Sequence, residues 1–198
     1  MRTGSCALAV IMICIGLLVS GVAAADKAPD FKLADTKSEF VQLSQVNAEH
    51  PVLVSFWATW CVPCPSEMVH LQRFYEKYQD RGFRVLGLAI DGTKSAAKVK
   101  PFIEGRRITF PILLDTNNDA KRSYMVKVVP TVYLLRPGGE IAYTHIGYRP
   151  GDEVALESEI QKVLAECAGA AATDSAQSTS APADSAAPSA AEGETPSR

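Results

Sequence analysis

One segment limits the fold more than any other. Val52-Leu53-Val54-Ser55-Phe56-Trp57, apolar apart from a single serine, runs into Trp60-Cys61-Val62-Pro63-Cys64 and then into apolar residues Met68, Leu71, Phe74, Tyr75 and Tyr78 at spacings of three and four. A strand that is apolar on both faces has to be covered on both, so it belongs inside a sheet with helices on either side. The helical period begins directly after it. That order puts Cys61 and Cys64 where strand gives way to helix.

Around this unit the chain alternates between the two periods. Phe83 to Ile90 is a second apolar run, followed by an amphipathic stretch from Lys94 to Arg107 that Pro101 should kink or break. Ile108 to Leu114 is a third, followed by a short helical segment around Asp119 to Met125. Such alternation predicts a largely parallel sheet. The pattern then changes, because Thr131 to Leu135 and Glu140 to Ile146 flank Pro137-Gly138-Gly139, an antiparallel hairpin signal, and Gly151 to Cys167 reads as a closing amphipathic helix. Upstream, Phe31 to Leu33 and Phe40 to Leu43 alternate around Asp35-Thr36-Lys37 as a short hairpin. The expectation is an α/β domain: a central mixed sheet flanked by helices, with an N-terminal β-hairpin extension.

The cysteines carry the chemistry. Residues i and i+3 in a first helical turn bring their Cβ atoms close enough for a disulfide, so the pair can open and close with little backbone movement. Unpaired amides at the helix N-terminus favour a thiolate on the first cysteine. Lowering a thiol pKa from about 8.5 to about 7 takes roughly 2 kcal/mol, which a helix terminus and charge-assisted hydrogen bonds can supply between them. A structural disulfide is the weaker account, since this pair closes almost no loop and would stabilise little. Zinc would need two more ligands, and His50, His70, His145 and Cys167 are scattered singly. Redox exchange is therefore expected, with no metal and no cofactor. The three histidines read as structural, Cys167 as a free thiol, Trp57 as core, and Trp60 as cover for the disulfide and part of a substrate platform.

Read together, Ala28-Pro29-Asp30-Phe31-Lys32-Leu33, Phe56-Trp57-Ala58-Thr59-Trp60-Cys61-Val62-Pro63-Cys64 with Glu67, Phe110-Pro111-Ile112-Leu113-Leu114-Asp115 and Val129-Pro130-Thr131-Val132-Tyr133-Leu134 resemble the TlpA/ResA-like extracytoplasmic thiol-disulfide oxidoreductases of the thioredoxin superfamily. The resemblance covers most of residues 29 to 165 and implies a thioredoxin-like fold. It implies a cis peptide before Pro130, packed beside the active cysteines, and a Val129 backbone that hydrogen-bonds an extended substrate segment. The plain alternative for Pro130 is a trans proline opening an edge strand. Ser55 stands where cytoplasmic thioredoxin has a buried aspartate that shuttles a proton to the second cysteine, and serine cannot do this at neutral pH. Glu67, one turn beyond Cys64, is the candidate replacement. Its other reading is a solvated first-turn acid that favours the helix dipole.

Both ends of the chain look different from this domain. Arg2 precedes an apolar stretch from Cys6 to Val19 and the run Ala23-Ala24-Ala25, the pattern of an export signal over residues 1–25, either cleaved after Ala25 or kept as an anchor. Residues 168–198 comprise 11 Ala, 6 Ser, 3 Pro and 3 Thr among 31, with no Leu, Ile, Val or aromatic residue, and are expected to be a disordered tail. The domain, residues 26–167, carries 18 Lys and Arg against 18 Asp and Glu, so nothing in its charge argues for nucleic acid. A monomer in the periplasm, or on the extracytoplasmic face of the membrane, is expected.

The function expected of such a chain is reduction of disulfides in exported proteins, with an apocytochrome c Cys-x-x-Cys-His segment as one candidate, and with a membrane thiol-reducing partner. The pair encloses Val62 and Pro63 and has no cationic neighbour, so it lacks what a strong oxidant needs. Peroxidase chemistry would need Pro and Thr where Val54 and Ala58 stand. A thioredoxin-fold binding module or a Sco-like copper carrier is the reading from another class; the latter spaces its cysteines by three residues, whereas these are spaced by two.

Overall fold

The computed structural model describes residues 26–177. The export signal expected over residues 1–25 and the end of the expected tail, residues 178–198, lie outside the described residues. Five strands form one sheet in the order β5-β4-β3-β6-β7. At its centre is β3 (Val52–Trp57), every residue of it buried. It pairs in parallel with β4 (Arg84–Ala89), which pairs in parallel with β5 (Ile112–Leu114). On its other side it meets β6 (Thr131–Leu135) antiparallel, and β6 meets β7 (Ile141–Ile146) antiparallel. The turn between those two needs left-handed backbone at Gly138 and Gly139, which glycine adopts without a Cβ penalty. The mixed α/β sheet expected from the sequence is thus present.

The hairpin is present too. β1 (Lys32–Ala34) and β2 (Phe40–Gln42) pair antiparallel as a separate sheet, tied to the β5 edge where the Thr36 amide donates to the Ile112 carbonyl at 3.2 Å. A single turn, α1 (Leu43–Val46), follows it.

Two helices differ from expectation. The amphipathic stretch before β5 is helical from Val99 to Glu104 (α3), with Pro101 inside it. The break falls ahead of that proline, in a 3₁₀ turn over Ala96–Lys98, because a proline in a first turn gives up only an amide that has no intrahelical partner. The closing helix α5 (Asp152–Gln177) runs past Cys167, so the tail's composition misplaces its start. Alanine has the best helix propensity, and extending a helix already nucleated by a docked face is far easier than starting one. That docked face is Leu156, Ile160, Val163 and Leu164, all buried. Among the described residues no helix is long and apolar enough to cross a membrane.

Candidate active site

The helix after β3, α2 (Cys64–Tyr78), begins at the second cysteine rather than the first. Pro65 suits its first turn for the reason given for Pro101. Cys61 sits in the turn ahead of it, its amide donating to the Ala58 carbonyl at 3.2 Å. The two cysteines are joined in a disulfide with their Cα atoms 5.5 Å apart. Cys61 is 5% exposed and Cys64 fully buried. The turn, together with Pro63 and Pro65, limits the donors here: of residues 63–65 only Cys64 has an N–H, while those of Ser66 and Glu67 point to the Pro63 carbonyl.

Glu67 is one turn further along α2 and only 2% exposed. The solvated reading of this acid therefore does not hold. Its Oε2 accepts a hydrogen bond from the Ser55 hydroxyl on β3 at 3.3 Å. Burial, reinforced by the charge of Asp152 and opposed only by Ser55, pushes its pKa up to about 8. At neutral pH it is mostly a neutral acid.

The Val129–Pro130 peptide is cis, and Pro130 is buried. Trp60 and Val129 line one cleft of about 260 Å³ with Ile90, Lys121, Lys127 and Val128. Trp60 is an exposed rim residue, whereas Trp57 is fully buried with its ring 5.1 Å from that of Phe102. Val62, between the cysteines, is exposed as well.

Asp91 was not foreseen. Fully buried just past β4, it accepts the Thr59 amide at 2.9 Å and the Thr59 hydroxyl as well, so it fixes the loop that leads into Cys61. Its position carried a signal, since polar side chains at the carboxyl ends of the strands of an open α/β sheet are those that meet ligands or build the loops that do. The remaining expectations fall away from the cysteines: His145 pairs with Asp152 at 3.1 Å, His70 lies against Tyr148, and Cys167 is a free, half-buried thiol. Among the described residues no group of three or more His, Cys, Asp and Glu side chains could hold a metal ion.

The chain is similar in sequence and fold to known proteins. Residues 24–144 match the AhpC/TSA family. A thiol-disulfide oxidoreductase ResA of Oceanobacillus iheyensis is 38% identical over 59% of this chain and 61% of its own length. Another ResA, from Geobacillus kaustophilus, is 32% identical over 71% of this chain and 79% of its own length. The chain is a ResA-like member of the AhpC/TSA family. This ResA-like protein has the thioredoxin-like fold as well. The solution structure of an uncharacterized thioredoxin-like protein from Porphyromonas gingivalis superposes with a TM-score of 0.60 at 35% identity, over 70% of this chain and 92% of that one. Within the family, Val54 and Ala58 still set the chain apart from the peroxidase pattern.

Proposed function

We propose that this ResA-like oxidoreductase reduces disulfides in exported proteins, on the extracytoplasmic side of the membrane. The observation that carries the reading is the Cys61–Cys64 disulfide at the β3–α2 junction, with Trp60 and Val129, the neighbours in sequence of Cys61 and of the cis Pro130, lining one cleft. In the reduced protein the Cys61 thiolate attacks one sulfur of the substrate disulfide, and the other substrate sulfur leaves as a thiolate that takes up a proton. Cys64, deprotonated, then attacks Cys61 in the mixed disulfide and releases the second substrate thiol. Two electrons pass to the substrate, and the protein is left as the disulfide seen here. A dithiol partner at the membrane is needed to reset it.

Glu67 is suited to hold the proton that Cys64 gives up. A group titrating near 8 exchanges protons readily with a thiol, and burial keeps the exchange away from bulk water. The direction of electron flow is supported by the scarcity of amide donors at the helix start, from which Pro63 and Pro65 remove two. Less thiolate stabilisation makes a better reductant. Val129 is suited to hydrogen-bond an extended substrate segment next to Cys61, with Trp60 as its apolar platform. An apocytochrome c Cys-x-x-Cys-His segment is one substrate to try.

Replacing Cys64 with Ser in the exporting cell tests this. The mixed disulfide on Cys61 should persist and be released by dithiothreitol, carrying the substrate or the electron donor with it. If Cys64→Ser traps nothing that a Cys61→Ser control does not, and the purified dithiol form leaves insulin unreduced, the reading is wrong.

A further inference from the structure

At Trp60, the residue before Cys61, the protein has built a cleft with apolar walls and two cations. Trp60, Ile90, Val128 and Val129 supply the walls, and Lys121 and Lys127 the charge. Both lysines are held in place through the backbone. The helix α4 (Asp119–Ser123) is anchored by the buried Asp115, whose carboxylate accepts the amides of Ala120 at 3.2 Å and Lys121 at 2.8 Å. The helix ends with Met125 in left-handed backbone and the Val126 amide donating back to the Lys121 carbonyl at 3.0 Å. That reversal returns the chain as Lys127-Val128-Val129 directly into the cis Pro130. The Thr131 hydroxyl then fastens the Val128 carbonyl at 2.7 Å.

Nothing among the described residues neutralises either ammonium. The nearby acids are engaged: Asp115 holds backbone amides and Asp119 pairs with Arg122. The domain as a whole is formally neutral, with 18 positive and 18 negative side chains over residues 26–167. The positive charge is therefore a local property of the rim next to the disulfide. Resting on the oxidoreductase reading above, we infer that this cleft selects an extended protein segment with an aspartate or glutamate beside its disulfide cysteine. The neighbouring apolar side chain packs between Trp60 and Val128, and the carboxylate meets Lys121 and Lys127. Each such pair is partly solvated, so two of them should change the rate by roughly 3- to 30-fold and should weaken with salt.

The test uses the dithiol form of the full chain and three disulfides. Two are peptides identical except for Glu or Lys flanking the cysteine, and the third is the small neutral hydroxyethyl disulfide. At low salt the Glu peptide should be reduced roughly 3- to 30-fold faster in kcat/KM than the Lys peptide, and the ratio should shrink towards one at about 0.5 M salt. In the Lys121→Glu, Lys127→Glu double variant the ratio should invert, and in the double Gln variant it should vanish. Equal rates on the two peptides at low salt, or a preference for the Lys peptide, would overturn this inference while reduction of hydroxyethyl disulfide kept the oxidoreductase reading. Failure to reduce any of the three would instead sink that reading. Should the charge-reversed chain not fold, the ratio in the native chain and its salt dependence decide the matter.

Discussion

Three carboxylates lie almost fully buried near the site, and the ends of β4 and β5 treat their two quite differently from the way α2 treats its one. Asp91 accepts two hydrogen bonds from Thr59, and Asp115 accepts two from the amides at the start of α4. Glu67 accepts a single bond of 3.3 Å from a hydroxyl. A buried carboxylate with several charge-assisted donors remains a good acceptor and ties loops together. One with a single weak donor has little to offset the loss of water, and it holds its proton instead. The same chemical group is thus a fastener after β4 and β5 and a proton reservoir in α2.

The largest expected effect follows from that reservoir. Glu67 has a folded pKa of about 8 against an ordinary 4.5, so between those values the folded chain keeps a proton that the unfolded chain has released. Stability from this group is complete below about pH 4.5 and is lost as the pH rises through about 8. Other acids contribute in the opposite sense, so the measurement is a difference. Unfolding free energies of the oxidised native chain and of Glu67→Gln, measured from pH 4 to 9, should diverge in favour of the variant by up to roughly 5 kcal/mol. Parallel curves would show that Glu67 is ionised inside the protein.

Smaller is the effect of removing a fastener. Asp91→Ala leaves the Thr59 amide and hydroxyl without their acceptor in a part-buried loop, and should cost about 2 to 3 kcal/mol in urea denaturation. Amide exchange should speed up at Thr59 to Cys61, while the pH difference curve for Glu67 keeps its midpoint. A shift of that midpoint would mean that the two regions are coupled rather than distinct.

How much of this contrast could be seen in the sequence depends on what each part rests on. The alternation of strand and helix and the junction at Cys61 were legible because β3, β4 and α2 keep their apolar patterns there. The cis Pro130 was legible only through resemblance, since no propensity separates it from a trans proline at a strand start. Glu67 was legible as a position, one turn past Cys64. Its state was not, because its burial and the groups that bear on it, Ser55 and Asp152, are set by packing between parts distant along the chain. Asp91 was not legible as a fastener, for its donors come from Thr59, 32 residues earlier in the chain, whereas Asp115 takes its donors from the start of α4, only five and six residues on. The start of the expected tail failed for the opposite reason, a local composition overridden by a helix already under way.

The finest distinction is whether Glu67 owes its titration to burial alone or also to Ser55. The Ser55 hydroxyl donates to Glu67 Oε2 and so favours the ionised acid, but 3.3 Å is long for such a bond. Ser55→Ala removes the donor without adding volume, on a fully buried strand that tolerates alanine sterically. With its last donor gone, Glu67 should ionise less readily still, and the midpoint of the pH difference curve against a Ser55→Ala, Glu67→Gln double variant should move up by about one unit or less. If Glu67 takes the Cys64 proton, resolution of a mixed disulfide should respond in step, with the upper limb of its pH profile moving by the same amount. A midpoint that stays where it was would mean that burial sets the titration by itself and that Ser55 only fills the space between β3 and α2.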